Sequence, residues 1–264
     1  MSSRSNLFTL LSPTAKENSF VSVIIPAYKE EEHITHTITD IIVKLRQNRF
    51  NFEVLVILDS VLGDRTSFII HELCGKFTEL RLIERLGKRG VGDAIRTGIR
   101  KAKGSILVIV MGDHSESSND LVKLVKVVAQ GYDMAIGDRF KHGKPYSYPF
   151  LKYIVNRCCN FLIKMMFSIP SSDTTNAFKA YNALVLRKFD ISSRGFEVFV
   201  EMPLKVFLRE QNVKIASISV QHFVRRKSAS KLSLLREGPH YIRVVSSLFV
   251  HGRMKKTYRN LSDG

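Results

Sequence analysis

The chain has 264 residues, of which 44% are hydrophobic and 25% are charged. This balance is typical of a folded globular protein and excludes a disordered chain, and no apolar run is long enough to span a bilayer as a helix. The net charge of +17 predicts a polyanionic partner, such as nucleic acid, anionic lipid or a phosphorylated substrate. Three cysteines, Cys74, Cys158 and Cys159, fit neither a disulfide framework nor a metal site, so we expect thiols in a reducing compartment.

Residues 1–19 are mostly polar and lack the apolar core of a signal peptide, so we expect a flexible lead. After it, short β-branched runs alternate with stretches of helical period. The predicted strands are residues 20–27, 52–58, 80–83, 106–111 and 133–136. The predicted helices are residues 30–48, 66–77, 91–103 and 119–130. The alternation predicts an α/β fold with a mostly parallel sheet flanked by helices.

Such sheets bind ligands outside the carboxyl ends of their strands, which makes four loops candidates. The first contains Tyr28 and Glu30, although a carboxylate here also suits the start of a helix. The second contains Asp59, a residue type that binds a ribose hydroxyl or a base edge at this place and that turns also favour. The third, residues 87–92, combines glycines with Lys88 before a helix and can meet phosphate there, but its spacing is not that of a P-loop.

The fourth loop reads Met-Gly-Asp-His-Ser-Glu over residues 111–116. Asp113 and Glu116 are two carboxylates three residues apart at the end of a central strand. That arrangement suits a hard divalent cation, Mg²⁺ or Mn²⁺, which would bridge diphosphate oxygens. The alternative is a second capped helix start. We interpret His114 as a solvated loop residue rather than a ligand.

Taken in order, these loops resemble family 2 glycosyltransferases of the GT-A fold, within them the dolichyl-phosphate mannosyltransferase-like branch. The resemblance covers residues 21–231. It is carried by VSVIIPAYKEEE, EVLVILD, GKRGVGDAIRTGI, GDR, DTTNAFKAY, GFEVFVEM and RRKSASKL. Tryptophan is absent from the sequence, so the Q-x-x-R-W signature of processive polysaccharide synthases is absent too.

The resemblance implies a role for each matching residue. The nucleoside would be held by Pro26, Tyr28, Glu30, Ile57 and Asp59, the rest of the donor by Lys88, Gly112 and Asp113, and the metal by Asp113 and Glu116. Arg225 and Lys231 would close over the diphosphate or the acceptor phosphate. Two departures stand out. Gly112 replaces the first aspartate of the D-x-D motif, so this loop fits the M-A-D-G-S-D pattern of other branches instead. Ser60 follows Asp59 where the family usually has D-D-G-S.

A phosphate acceptor needs no general base, because a phosphomonoester is largely dianionic at neutral pH, with a second pKa of about 6. The requirement is instead for cations that place two anions together, and arginine forks suit phosphate. The candidates are Arg139, Arg157, Arg225, Arg226 and Lys231. We predict catalytic roles for Asp113, Arg139, Arg225 and Lys231.

Two segments suggest a membrane surface. In residues 150–169, Lys152, Asn156, Asn160 and Lys164 recur at every fourth position, which predicts a helix with a polar stripe lying in the interface plane. Residues 236–264 are predicted to form a basic amphipathic helix and tail beside a catalytic domain at 20–235. Its apolar stripe is Tyr241, Val244, Val245, Leu248 and Phe249. The alternative is that both helices pack on the domain or on a partner subunit.

The sequence therefore predicts transfer of a hexose, mannose first, from a nucleotide sugar, GDP-mannose first, to a polyprenyl phosphate. We expect an enzyme bound peripherally to the cytoplasmic face of an anionic membrane, with a membrane-anchoring subunit as a further partner. Two alternatives stay open: a soluble or protein acceptor, and a non-catalytic nucleotide-sugar binder. A nucleic-acid partner is not expected, because the strand-end carboxylates would repel a phosphate backbone.

Overall fold

The computed structural model describes residues 19–85, 90–145, 148–209, 212–223 and 237–250. The strands are β1 (Phe20–Ala27), β2 (Asn51–Asp59), β3 (Leu80–Arg85), β4 (Ile106–Ile109), β5 (Met134–Asp138), β6 (Lys179–Asn182) and β7 (Ile215–Ser219). The helices are α1 (Ile34–Gln47), α2 (Thr66–Cys74), α3 (Val91–Lys101), α4 (Ser118–Ala129), α5 (Phe150–Phe167), α6 (Ala183–Leu186), α7 (Val198–Arg209) and α8 (237–250). The predicted lead lies outside this description except for residue 19.

The strands form one sheet in the order β3-β2-β1-β4-β6-β5-β7. Neighbours are parallel except around β6, which runs antiparallel to β4 and to β5. Six strands therefore end at the same edge of the sheet, and the loop that leads into β6 returns to that edge. The predicted α/β fold with a mostly parallel sheet is confirmed.

Alternate residues of the central strands pack into two apolar layers, as the two-residue repeat of a strand requires. On β1, Val23 and Ile25 join the layer covered by α1, α2 and α4, whereas Ile24 joins the layer that contains residues of α3, α5, α7 and α8. Burial on both faces explains why these strands read as continuous apolar runs in the sequence.

Sequence and structure agree on the first five strands and differ in the second half of the chain. The strand β1 has the predicted bounds. Helix α1 begins at Ile34 rather than at residue 30, because residues 31–33 form a turn in which the backbone N–H groups of His33 and Ile34 donate to the carbonyl of Glu30. The antiparallel β6 and the edge strand β7 were not predicted. Within the described ranges, no helix has the length and apolarity needed to cross a membrane.

The two amphipathic helices differ from the prediction in opposite ways. On α8, the predicted membrane-facing stripe packs against the domain: Leu248 is buried, and Tyr241, Val244, Val245 and Phe249 lie on the same core layer. That part of the prediction is wrong, because this stripe closes the core. On α5, the middle of the polar stripe faces inward and an apolar face lies outside.

Candidate active site

The site forms where the parallel strands end. The segments that meet there follow β1, β2, β4, β5 and β7, together with the loop before β6. The bridge between Glu116 and His222 joins the loop after β4 to the segment after β7. The backbone N–H of Phe223 also donates to the carbonyl of Ser115 over 2.9 Å.

The loop after β4 holds the two predicted metal ligands. Asp113 Oδ1 accepts hydrogen bonds from the backbone N–H of Ser115, over 3.2 Å, and from its hydroxyl, over 2.7 Å. Glu116 Oε2 accepts from the backbone N–H of Met111 over 2.8 Å. Burial, followed by the charge of Asp113, raises the pKa of Glu116 well above its ordinary value. The two carboxylates therefore face one region, and their negative charges repel each other.

The repulsion between these two carboxylates bears on whether the site suits Mg²⁺ or Mn²⁺. A divalent cation would relieve the repulsion, and Mg²⁺ is usually held by one or two carboxylates plus substrate phosphates and water. Among the described residues, no cluster of three or more His, Cys, Asp or Glu side chains is placed to hold a metal. The donor set thus fits a cation that arrives with a diphosphate better than one held by the protein alone.

Arg139 is locked into a buried ion pair. Its Nε and Nη2 donate to the two oxygens of Asp173 over 2.8 Å each, and its backbone N–H donates to Asp173 Oδ2 over 3.0 Å. Burial alone lowers the pKa of the guanidinium, but the charge and hydrogen bonds of Asp173 outweigh it and the pKa is raised. The arginine is therefore a fixed cation, with the charge of Glu116 nearby.

Helix α5 supports this ion pair from its inner face. Asn160 is fully buried; its amide donates to Thr175 Oγ1 over 2.9 Å, and its Oδ1 accepts from the backbone N–H of Thr175 over 3.1 Å. Arg157 donates to the carbonyl of Ser172 over 3.2 Å, and its guanidinium lies 5.9 Å from the ring centre of Phe140. Arg139 and Arg157, both predicted to bind the acceptor phosphate, therefore lie against the same loop, residues 172–175.

His222 is a site residue that sequence reasoning missed. Its ring lies 5.7 Å from that of Tyr148. Burial and the charge of Arg139 lower its pKa to about 4, against the opposing charges of Asp113 and Asp173. The imidazole is thus neutral at pH 7, with one ring nitrogen that donates a hydrogen bond and one that accepts. The strand-end rule would have found it had β7 been recognised as a strand.

Lys179 is fully buried at the start of β6. Its ammonium donates to the carbonyl of Asn176 and, over 3.0 Å, to that of Phe199. Burial lowers its pKa to about 7. These contacts tie the loop before β6 to the first turn of α7.

In the other half of the sheet, at the end of β2, Asp59 forms an ion pair within the protein. It accepts both arms of Arg85, over 2.7 and 2.8 Å, and the backbone N–H of Gly90 over 3.1 Å. Arg85 and Asp59 are register partners at the ends of β3 and β2. A nucleoside would therefore meet an Asp59–Arg85 pair rather than an isolated carboxylate.

The remaining predicted donor residues lie along the same edge. Pro26 and Ile57 are paired residues of β1 and β2, and the side chain of Ile57 is fully buried in the core, so only its backbone can approach a ligand. Tyr28 is half-buried, and Glu30 is buried beside Gly112. A Cβ at Gly112 would lie 3.2 Å from Glu30 Cγ, so a larger residue here would require Glu30 to shift by a few tenths of an ångström. Lys88, Arg225, Arg226 and Lys231 lie outside the described residues.

Comparison with known proteins confirms the predicted family. The family model described as Glycosyl transferase family 2 matches residues 22–189. A dolichol-phosphate mannosyltransferase of Pyrococcus furiosus is 26% identical over 80% of this chain, and the match spans 59% of that protein's length. A polyprenol monophosphomannose synthase of Mycolicibacterium smegmatis is 24% identical over 83% of each chain.

The solved structures support the fold. Glucosyl-3-phosphoglycerate synthase from Mycobacterium tuberculosis, in complex with Mn²⁺, UDP-glucose and phosphoglyceric acid, superposes with a TM-score of 0.67 at 16% identity, covering 89% of this chain and 81% of that one. The family match extends over more than half of the sequence, from β1 into the second half of the sheet. The chain belongs to the family 2 glycosyl transferases.

Proposed function

We propose that this glycosyltransferase moves a hexose, with inversion, from a nucleoside-diphosphate sugar to a polyprenyl phosphate at a membrane surface. Mannose from GDP-mannose is the first donor to test. The observation that carries the proposal is the difference between the two faces of α5. Its outer face presents Phe161, Leu162 and Met165 to solvent, while its inner face supports the loop that holds Arg139. One helix would thus link an apolar surface to the cation that we propose as a ligand of the acceptor phosphate.

The chemistry follows from two anions meeting at one carbon. An oxygen of the acceptor phosphate bonds to the anomeric carbon as the bond from that carbon to the diphosphate breaks. Because the acceptor is largely dianionic at neutral pH, no side chain has to remove a proton. A Mg²⁺ or Mn²⁺ ion held by Asp113 and Glu116 would neutralise the diphosphate that leaves.

The protein's own residues would supply position and charge. Arg139 is held rigid by Asp173, and Arg157 lies beside it, so the acceptor phosphate meets cations whose geometry is already set. His222 is neutral and can form a hydrogen bond with a phosphate group without adding charge. The relatives named dolichol-phosphate mannosyltransferase and polyprenol monophosphomannose synthase support a lipid-phosphate acceptor.

The test is an assay of the full chain on vesicles that contain polyprenyl phosphate and Mn²⁺. Radiolabelled GDP-mannose, GDP-fucose, UDP-glucose and UDP-GlcNAc are supplied separately, and we expect one of them to label the lipid. Asp113→Asn, which removes a ligand charge and preserves size, should abolish labelling. Transfer to soluble acceptors alone would favour the soluble-acceptor alternative. Donor binding without turnover would favour a non-catalytic binder.

A further inference from the structure

His114 adopts a left-handed backbone conformation that is uncommon for residues with a side chain. Its φ is 57°, in the left-handed region, where a side chain costs about 1–2 kcal/mol and glycine costs little. In the M-A-D-G-S-D pattern that this loop fits, the glycine stands at the position of His114. A contact that favours this conformation would help to hold the loop next to the proposed metal ligand Asp113.

Helix α1 supplies that contact. His114 Nε2 lies 2.8 Å from Asp40 Oδ2, and the His114 ring lies 5.9 Å from the ring of His36, one turn earlier on the same face of α1. The hydroxyl of Thr37 also donates to the carbonyl of Gly112 over 3.2 Å. The helix thus holds the loop on both sides of Asp113.

We infer that Asp40 is a positioning residue, which acts through His114 to hold Asp113 in place for the divalent cation. The inference rests on the proposed metal-dependent function. An exposed ion pair contributes little to stability in general, typically about 0–1 kcal/mol. Here the contact selects a backbone conformation, and a cation bound by only part of the population binds with proportionally weaker apparent affinity.

The test is a double-mutant cycle of Asp40→Ala and His114→Gly, with Mn²⁺-dependent binding of GDP and UDP measured by calorimetry. In the chain that keeps His114, Asp40→Ala should raise the half-saturating Mn²⁺ concentration about two- to fivefold, because the contact that favours the left-handed conformation is lost. In the chain that carries His114→Gly, the same substitution should have no effect, because glycine adopts this conformation unaided.

A control removes the same charge elsewhere. Glu72→Ala deletes an exposed carboxylate of α2 and should leave Mn²⁺ affinity unchanged. If Asp40→Ala weakens Mn²⁺ binding equally with and without His114→Gly, Asp40 acts through its charge and the inference is overturned. No effect in the chain that keeps His114 overturns it as well.

Amide hydrogen exchange separates this inference from the proposed function. In the metal-free protein, Asp40→Ala should speed exchange in residues 111–116, and His114→Gly should remove that sensitivity. Missing sugar transfer with this coupling intact counts against the proposed function and leaves the positioning role standing. Normal transfer without the coupling does the reverse.

Discussion

Helices α5 and α8 carry similar patterns in the sequence and have opposite roles in the structure. Both alternate apolar and polar residues at helical spacing. Helix α8 turns its apolar stripe inward, where Leu248 is 9% exposed and Phe249 packs edge-to-face on Phe167. Helix α5 turns Asn156 and Asn160 inward and leaves Phe161 66% exposed and Leu162 50% exposed.

The difference shows that the neighbouring surface decides which face of an amphipathic helix is buried. Helix α8 meets an apolar layer formed by α5 and α7, so its apolar stripe is the complementary face. Helix α5 meets the loop over residues 172–175, whose backbone and side chains require hydrogen-bond partners, so asparagines are complementary there. Its remaining apolar face is exposed to solvent, and we propose that it binds a membrane surface.

Removing apolar side chains from the outer face of α5 should have the largest effect. We expect Phe161→Ser with Leu162→Ser to lower partitioning onto anionic vesicles more than about a hundredfold. Burying either side chain contributes roughly 1.5–3 kcal/mol, so the pair accounts for at least about 3 kcal/mol. Vesicle sedimentation measures the change, and the free energy of unfolding should stay the same because both side chains are exposed.

The matched control makes the same replacements away from α5. Leu62→Ser with Phe68→Ser removes an exposed leucine and an exposed phenylalanine from the region after β2. We expect vesicle partitioning to stay near that of the unchanged chain. Equal losses in both variants would mean that α5 is not the membrane-binding face.

The stripe on α8 should respond in the opposite manner. Leu248→Ala removes a buried side chain at the rim of the core, which should lower the free energy of unfolding by about 2–3 kcal/mol. Urea denaturation measures this loss, and vesicle partitioning should not change. Ile242→Ala, on the exposed side of the same helix, should alter stability by less than about 0.5 kcal/mol.

Most of the first half of the fold could be predicted because β1, β2 and β4 are buried on both faces. Such strands read as uninterrupted apolar runs, and the helices between them show a clear period, so bounds such as Phe20–Ala27 could be predicted from the sequence. Strand β7 is an edge strand with half-buried residues, and β6 has four residues, one of them Lys179. Neither has a pattern that separates it from a loop.

The candidate site divides in the same manner. The carboxylates Asp113 and Glu116 could be predicted because they follow a strand whose end was visible in the sequence. Long-range ion pairs could not be predicted. The sequence around Asp59 does not indicate that it pairs with Arg85, and the sequence around Arg139 does not indicate that it pairs with Asp173. The residue His222 was missed together with the strand that carries it.

A smaller effect is expected from the inner face of α5. Asn160→Ala leaves the backbone N–H of Thr175 without its partner, which should cost about 1–2 kcal/mol of unfolding free energy. It should also lower the transfer rate, because the loop that holds Arg139 is loosened. Asn119→Ala, an exposed asparagine of α4, is the control and should change neither quantity. A lower rate with unchanged vesicle binding would separate the inner face from the outer one.

The smallest effect is a change in labelling rate, and it compares the two helices directly without altering an apolar side chain of α5. Cys158 lies on the exposed face of α5 between Ile154 and Leu162, so a chain that keeps only this cysteine reports on that face. We expect anionic vesicles to slow its reaction with a water-soluble maleimide about fivefold, because the face would enter the headgroup layer. A cysteine placed at Ile242, on the exposed side of α8 in a cysteine-free chain, should react at the same rate with and without vesicles. Equal protection at both positions would mean that the membrane covers α8 as well, and α5 would then be one part of a wider membrane-binding face.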